Sequence, residues 1–382
     1  MPAPAVGTGG IARVSRVLVR LLPMMVLLLG CDGRDPLAEA PPGAWLVGSA
    51  AELDPLLDRL TAWTGTTIAM VTRPVAAKVA ACPDQVLIGL PADAELPTVS
   101  CTIPAEWAPL ADAARGHSAA FLLPESDIGR MSGTLDVSAG GAFTAQGSLP
   151  EPPGGTAWDL LLPGEGDPGP DALPREGALV HARVRQARVV DIASMSGPAG
   201  REEDVFGLDA QLFAASVLSG TWEFAAWPAA EGGSVPRVAL AVGVRNDTIA
   251  RVTAEQYVGS LSGRWPFVAS PQDIAGRSAT CLAGLNLLPE LTPCWVVDDG
   301  NILVAWNAAS LGRASEGGTG HAKTSEVVVH LGAFPPADAA LTRAFAPPDV
   351  PPPADNYPWR DLVITARRED DRVHVTLVGV SR

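Results

Sequence analysis

Cys294-Trp295-Val296-Val297-Asp298-Asp299-Gly300-Asn301-Ile302-Leu303-Val304-Ala305-Trp306 is the stretch that decides how this chain is read. Two apolar runs, Cys294–Val297 and Ile302–Trp306, flank an Asp-Asp-Gly-Asn turn, the strongest short-range signal for an antiparallel hairpin. The same logic pairs Gly133–Ser138 with Ala142–Leu149 across Ala139-Gly140-Gly141, and Leu362–Arg367 with Val373–Val378 across the charged turn 368–372. Hairpins joined by short turns build antiparallel sheets, because parallel neighbours need long crossovers.

Helices are legible between the strands. Ser49 and Glu52 fit a capping box, and Leu53, Leu56, Leu57, Leu60 and Trp63 form one apolar stripe closed by Gly65. Further helices are expected over 105–115, over 205–218 behind Glu202-Glu203-Asp204, and from Ala254, where Thr253 and Gln256 fit a second capping box. Other strands are expected at 66–71, 85–90, 119–123, 179–184, 221–227, 235–244 and 325–331. Residues 150–177 are dense in proline and glycine and read as a linker. The expectation is therefore an α+β chain of two domains, 44–149 and 178–382, each a mainly antiparallel sheet with helices packed on one face. Both halves begin strand-then-helix and end on a hairpin, which admits a divergent duplication. This order loosely resembles uncharacterised bacterial surface proteins built from α+β repeats.

The first 32 residues carry an address. Arg13, Arg16 and Arg20 precede the apolar run Leu21–Leu29, and Leu28-Leu29-Gly30-Cys31 follows with no acidic residue before Asp32. Basic, apolar, then small is the order of an export signal. The apolar run is too short to span a bilayer, which takes about 20 residues. The cysteine directly after a small residue resembles the lipobox of bacterial lipoproteins. That resemblance implies cleavage after residue 30, acylation of Cys31, and attachment to a bacterial membrane facing the periplasm or the exterior, with 31–43 as a tether. The implied partners are the lipid bilayer and an envelope protein or ligand.

Loss of the three leader arginines would take the net charge from −15 to −18. So acidic a surface repels phosphate backbones, which excludes nucleic acid as a partner. Apart from Cys31, the cysteines fall into two local pairs, Cys82 with Cys101 and Cys281 with Cys294. In an oxidising compartment these read as disulfides; with no Cys-x-x-Cys and no histidine within ten residues, they do not read as metal or redox sites. No cofactor and no metal are expected.

Catalytic motifs fail on context. Gly164-Glu165-Gly166-Asp167-Pro168-Gly169 matches a dinucleotide loop in letters, but its prolines and acids deny the strand–loop–helix setting. Gly116-His117-Ser118-Ala119-Ala120 resembles a nucleophile elbow, yet a helix precedes it and a strand follows, the reverse of the elbow's order. Were Ser118 catalytic, His181, His321, His330 or His374 would serve as base. Ten tryptophans stand against two tyrosines. Trp45, Trp222, Trp227, Trp295 and Trp306 lie in or beside strands, where packing with an N–H partner nearby is the ordinary use and a groove for an apolar ligand the other. The reading is a lipid-anchored protein that binds or scaffolds, with an apolar-ligand carrier and a Ser118 hydrolase as alternatives.

Overall fold

The structure is a computed structural model that describes residues 44–64, 78–81, 86–89, 108–126, 129–150, 163–164, 166–186, 217–231, 233, 235–262, 267–284, 291–333, 359–369 and 372–381. Among these, eighteen strands stand against four α-helices, so the chain is sheet-rich rather than an even mixture of helix and strand. The strands pair antiparallel. The chain divides into two compact units, residues 1–150 with 374–379, and residues 151–373 with 380–382.

In the first unit, β1 (Ala44–Gly48) leads into α1 (Ala50–Thr64), and the Ser49 carbonyl accepts the first helical hydrogen bond from Leu53 N at 3.0 Å. Strands β2 (Lys78–Ala81) and β3 (Val86–Gly89) follow, then α2 (Ala108–Ala113) and β4 (Ala119–Ser126), β5 (Gly129–Val137) and β6 (Phe143–Pro150). Their order is β6-β5-β4-β1-β3-β2. The expected helix stripe starts correctly, for Leu53 and Leu56 are buried. Leu110 of α2 packs with Val47, Ala120 and Leu122 from the strands, and this apolar contact anchors that short helix. The β5–β6 hairpin turns at residues 138–142, where Ala142 N donates to Ser138 Oγ at 3.1 Å. Gly141 sits there at φ 71°, and a Cβ would meet the Pro55 carbonyl of α1 at 2.8 Å, so only glycine fits.

The second unit contains β7 (Gly169–Pro170), β8 (Val180–Arg185), β9 (Leu218–Trp227), β10 (Arg237–Val244) and α3 (Asp247–Ser262). It continues with β11 (Val268–Ile274), β12 (Arg277–Ala283), β13 (Cys294–Asp298), β14 (Asn301–Ala305) and α4 (Ala308–Ala314). Strands β15 (His321–Ala322), β16 (Ser325–Val329) and β17 (Trp359–Glu369) complete it. The final strand, β18 (Arg372–Ser381), contributes its middle, His374–Gly379, to the first unit, where β18 neighbours β6. The second unit's order is β11-β12-β13-β14-β10-β9-β8-β16-β17, with β7 and β15 paired as a separate ribbon.

The β13–β14 hairpin forms as expected and more tightly: Asp298 pairs with Asn301, leaving Asp299 (φ 47°) and Gly300 (φ 73°) as the two turn residues. Both are left-handed, the primed turn that matches strand twist. A second such turn, Ala275 (φ 53°) and Gly276 (φ 77°), joins β11 to β12 and was not expected from the sequence. Its single Ala-Gly dipeptide carries too little turn chemistry to read.

The helix expected from Ala254 begins seven residues earlier. Asn246 is the true cap, its Oδ1 accepting from Ile249 N at 3.1 Å. Thr253 lies inside the helix and donates to the Ile249 carbonyl at 2.8 Å, so the second capping box is a coincidence of letters. Asn246→Ala should therefore cost about 1 kcal/mol while Thr253→Ala costs far less, checked by thermal melts of both. Helix α4 was not expected at all; Leu311 and Ala314 plug the core beside Trp227, Leu303 and Ile274. Of the helix expected over 205–218, residues 205–216 lie outside the described residues and Leu218 already begins β9; the strand at 66–71 and Cys82, Cys101 and Cys31 lie outside them as well.

Candidate functional site

The strongest concentration of chemistry lies in the second unit, where a loop folds over the face of β8 and β9. Alternation puts His181 and Arg183 of β8 on one face, and the register pairs Arg183 with Glu223 of β9. Glu223 is fully buried, His181 is 1 % exposed, and Arg183 is nearly as buried. Three polar side chains in an apolar sheet must satisfy one another.

They do so around Glu223. Its Oε1 accepts from Leu173 N at 2.9 Å and from His181 Nε2 at 2.7 Å. Its Oε2 accepts from Ala172 N at 2.7 Å and from Arg183 Nη1. Arg183 spends its other nitrogens on the Gly169 carbonyl (3.1 Å) and the Pro168 carbonyl (2.8 Å). Because a carboxylate only accepts here, His181 Nε2 carries the proton; its Nδ1 is buried without a partner among the described residues. The loop that supplies these backbone groups, residues 167–175, falls in the stretch read as a linker.

A second layer braces the loop from outside. Asp171 receives Arg175 through Nε and Nη2, and Arg175 Nη1 reaches Glu326 of β16. The two carboxylates push the Arg175 guanidinium well above its ordinary range, Asp171 contributing most. Asp171 N donates to Gly320 O at 3.0 Å, and a Cβ on Gly320 would overlap the Asp171 carboxylate, so this approach requires glycine. Trp227 Nε1 donates to the Pro174 carbonyl at 3.0 Å, and the Arg313 guanidinium lies 6.0 Å from the Trp227 ring centroid. At the loop's exposed end, His321 and the Gly169 N–H hold the Asp167 carboxyl below its usual range.

Asp171, His181 and Glu223 offer ligand atoms within 4.8 Å of one another, a spacing that could surround a cation. The chemistry of the donors opposes it. Glu223 has four acceptor positions and four donors on them, one already cationic, and Asp171 is engaged by Arg175. A cation would have to displace Arg183 and strand it in the core. The arrangement is a clamp that pins residues 167–175 to the sheet.

The sequence-derived candidates resolve differently. Ser118 is buried at the start of β4, and its Oγ accepts from Val137 N at 3.0 Å, a structural use of the hydroxyl. Neighbouring His117 turns to solvent and pairs with Asp136 at 3.0 Å. His181, His321 and His330 are engaged with Glu223, Asp167 and Asp361; no described histidine hydrogen-bonds to Ser118. Cys281 and Cys294 sit opposite each other on β12 and β13 and form a disulfide, with Cα atoms 4.0 Å apart. Of the tryptophans, Trp227 is core with its N–H satisfied, whereas the Trp295 and Trp306 N–H groups are buried without a partner among the described residues. The side chain of Trp45 lies outside the described residues.

Asp361 gives a titration test. Burial raises its carboxyl, but hydrogen bonds from Arg360 and His330 outweigh burial and hold it below the ordinary value. A depressed acid contributes stability above its unfolded pKa, about 4, and that contribution is lost as pH falls through the lower folded value. Asp361→Asn should destabilise at pH 6 and progressively less toward pH 3. A gap in urea midpoint that stays constant over that range would contradict this.

No known protein family matches the chain, and neither does any curated protein or solved structure. The described helices include none long and apolar enough to cross a membrane.

Proposed function

We propose that the chain is a lipid-anchored extracytoplasmic protein of the bacterial envelope that works by binding or scaffolding rather than by catalysis. The observation that carries the non-catalytic part is the use of Glu223. The most buried carboxylate of the candidate site is saturated by four internal donors, two from the loop's own backbone, and leaves nothing for a substrate. Catalytic carboxylates need an open acceptor position. Ser118 supports the same reading, since its hydroxyl is buried and committed to Val137. The carrier alternative needs tryptophans free to line a groove, and Trp227 and Trp359 are instead fully buried.

The anchoring part rests on Arg13, Arg16 and Arg20, the apolar run and Cys31. The fold reading that accompanies it is of two α+β domains, an arrangement that admits a divergent duplication. Antiparallel strands with packed helices in each unit support it: Leu110 of α2 in the first, Leu311 of α4 in the second.

The test is expression in a bacterial host with a clickable palmitate analogue. The wild-type chain should take the label and sediment with membranes, and Cys31→Ala should lose both properties. Mild cross-linking and pull-down from those membranes should then recover an envelope protein near stoichiometrically. Unlabelled wild-type chain would overturn the anchor, and a purified chain that hydrolyses esters in a Ser118-dependent way would overturn the non-catalytic reading.

A further inference from the structure

We propose that the second unit binds a small organic carboxylate in a pocket at the start of β10, with Arg237 as the anion-binding group. The proposal rests on the binding reading above and names a ligand class for it.

The pocket is half-open to solvent and has a volume of about 420 Å³, within the range of small-ligand sites. Its lining combines the apolar Ala230, Val235, Ala308 and Ala309 with the polar Arg237, Gln272 and Thr292. Cys294, held to Cys281, lines it as well, so the disulfide fixes part of the wall.

Arg237 is the feature that points to a ligand. It is half-buried, and its Nε donates to the Pro228 carbonyl at 3.0 Å. The two terminal nitrogens face no carboxylate within ion-pair distance among the described residues. Partly desolvated arginines are ordinarily paired. Here burial and the neighbouring Arg313 both work against the charge. Glu316 is the acidic group that favours it, and its carboxylate is taken by Arg313. Among the described residues the site therefore has one guanidinium without an ion-pair partner, in a lining that also holds alanines and Val235. A guanidinium fork matches a carboxylate bidentately. One cation balances a monoanion rather than a phosphate dianion, and the alanines and Val235 suit a short hydrocarbon body.

The experiment is saturation-transfer NMR on the full-length chain in non-ionic detergent, with hexanoate as probe and hexanamide and inorganic phosphate as comparisons. Hexanoate should bind saturably, hexanamide at least tenfold more weakly, and equimolar phosphate should not displace hexanoate. Arg237→Gln should weaken hexanoate at least tenfold, with Arg237→Lys in between, because it keeps the charge and loses the fork. Gln272→Glu guards against a misfolded arginine variant. It places a carboxylate beside Arg237 on an exposed strand position and should abolish binding while leaving the melt unchanged. Equal binding of hexanamide, displacement by phosphate, or no binding of hexanoate would each overturn the proposal. So would unaltered binding in Gln272→Glu. None of these outcomes touches palmitate labelling or recovery of an envelope partner, so failure here is distinct from failure of the anchored-binding reading.

Discussion

Glu223→Gln is expected to destabilise the chain by about 3–5 kcal/mol, the cost typical of removing one partner from a buried ion pair. The substitution keeps the shape and removes the charge. Arg183 then stays buried without its ion-pair partner, its remaining hydrogen-bond partners being the Pro168 and Gly169 carbonyls. An amide also has one acceptor oxygen where the carboxylate had two, so Ala172 N, Leu173 N, His181 and Arg183 cannot all be satisfied. The NH₂ group would moreover point a donor at other donors. Denaturant unfolding measures the loss, and protease susceptibility of residues 167–175 reports whether the loop lifts. Arg183→Gln alone should also be costly, but the double variant should cost less than the sum, because the second change removes the charge that the first one stranded. Additive losses, or a loss below 1 kcal/mol for Glu223→Gln, would mean that the clamp does not hold the loop.

Replacing Cys281 and Cys294 together by alanine should cost about 3 kcal/mol, the entropy released to the unfolded chain by opening a loop of this length. The sequence separation is 13, and both sulfurs are buried, so a packing loss adds to the entropic one. The bridge joins directly opposed residues of β12 and β13, whose pairing among the described residues spans only two positions, Thr280 with Trp295 and Cys281 with Cys294. Reduction should therefore loosen β11 and β12 first. Hydrogen exchange on β11–β12 before and after reduction tests this; protection lost evenly through β8, β9 and β10 would contradict it.

Much of the strand framework was legible because hairpins are local. Asp299-Gly300 and Gly140-Gly141 supply residues that tolerate positive φ, between runs whose alternation marks a half-buried face. The apolar start of α1 was legible for the same reason. The end of α3 that faces residue 246 was misread because a Thr-x-x-Gln spacing recurs by chance inside a helix, while the real cap is an asparagine with no glutamate three positions on. Helix α4 escaped because seven residues rich in alanine, serine and glycine have little periodicity. Its helicity comes from Asn307 capping Ser310 N at 2.8 Å and from burial of Leu311.

The candidate site was not legible. Glu223 sits between tryptophan and phenylalanine in a strand and looks like an ordinary outward-facing acid. Its partners lie 40 and 42 positions away in β8 and about 50 away in the loop. The one available signal was a His and an Arg at alternate positions of β8, His181 and Arg183, which asks for a buried acid without naming it. Residues 167–175 looked like linker because proline and glycine forbid helix and central strand. They do not forbid a loop whose backbone N–H groups are taken by a buried carboxylate.

The sequence by itself determined the antiparallel, hairpin-built character of the chain and the pairing of Cys281 with Cys294. Each follows from interactions between near neighbours. Only the tertiary structure decided that Glu223, Arg183, His181 and Asp171 converge, that the proline-rich loop is clamped, and that Arg237 lines a pocket with no ion-pair partner among the described residues. Those depend on which strands become neighbours, and register between distant segments is set by the whole core rather than by any stretch of residues that can be read alone.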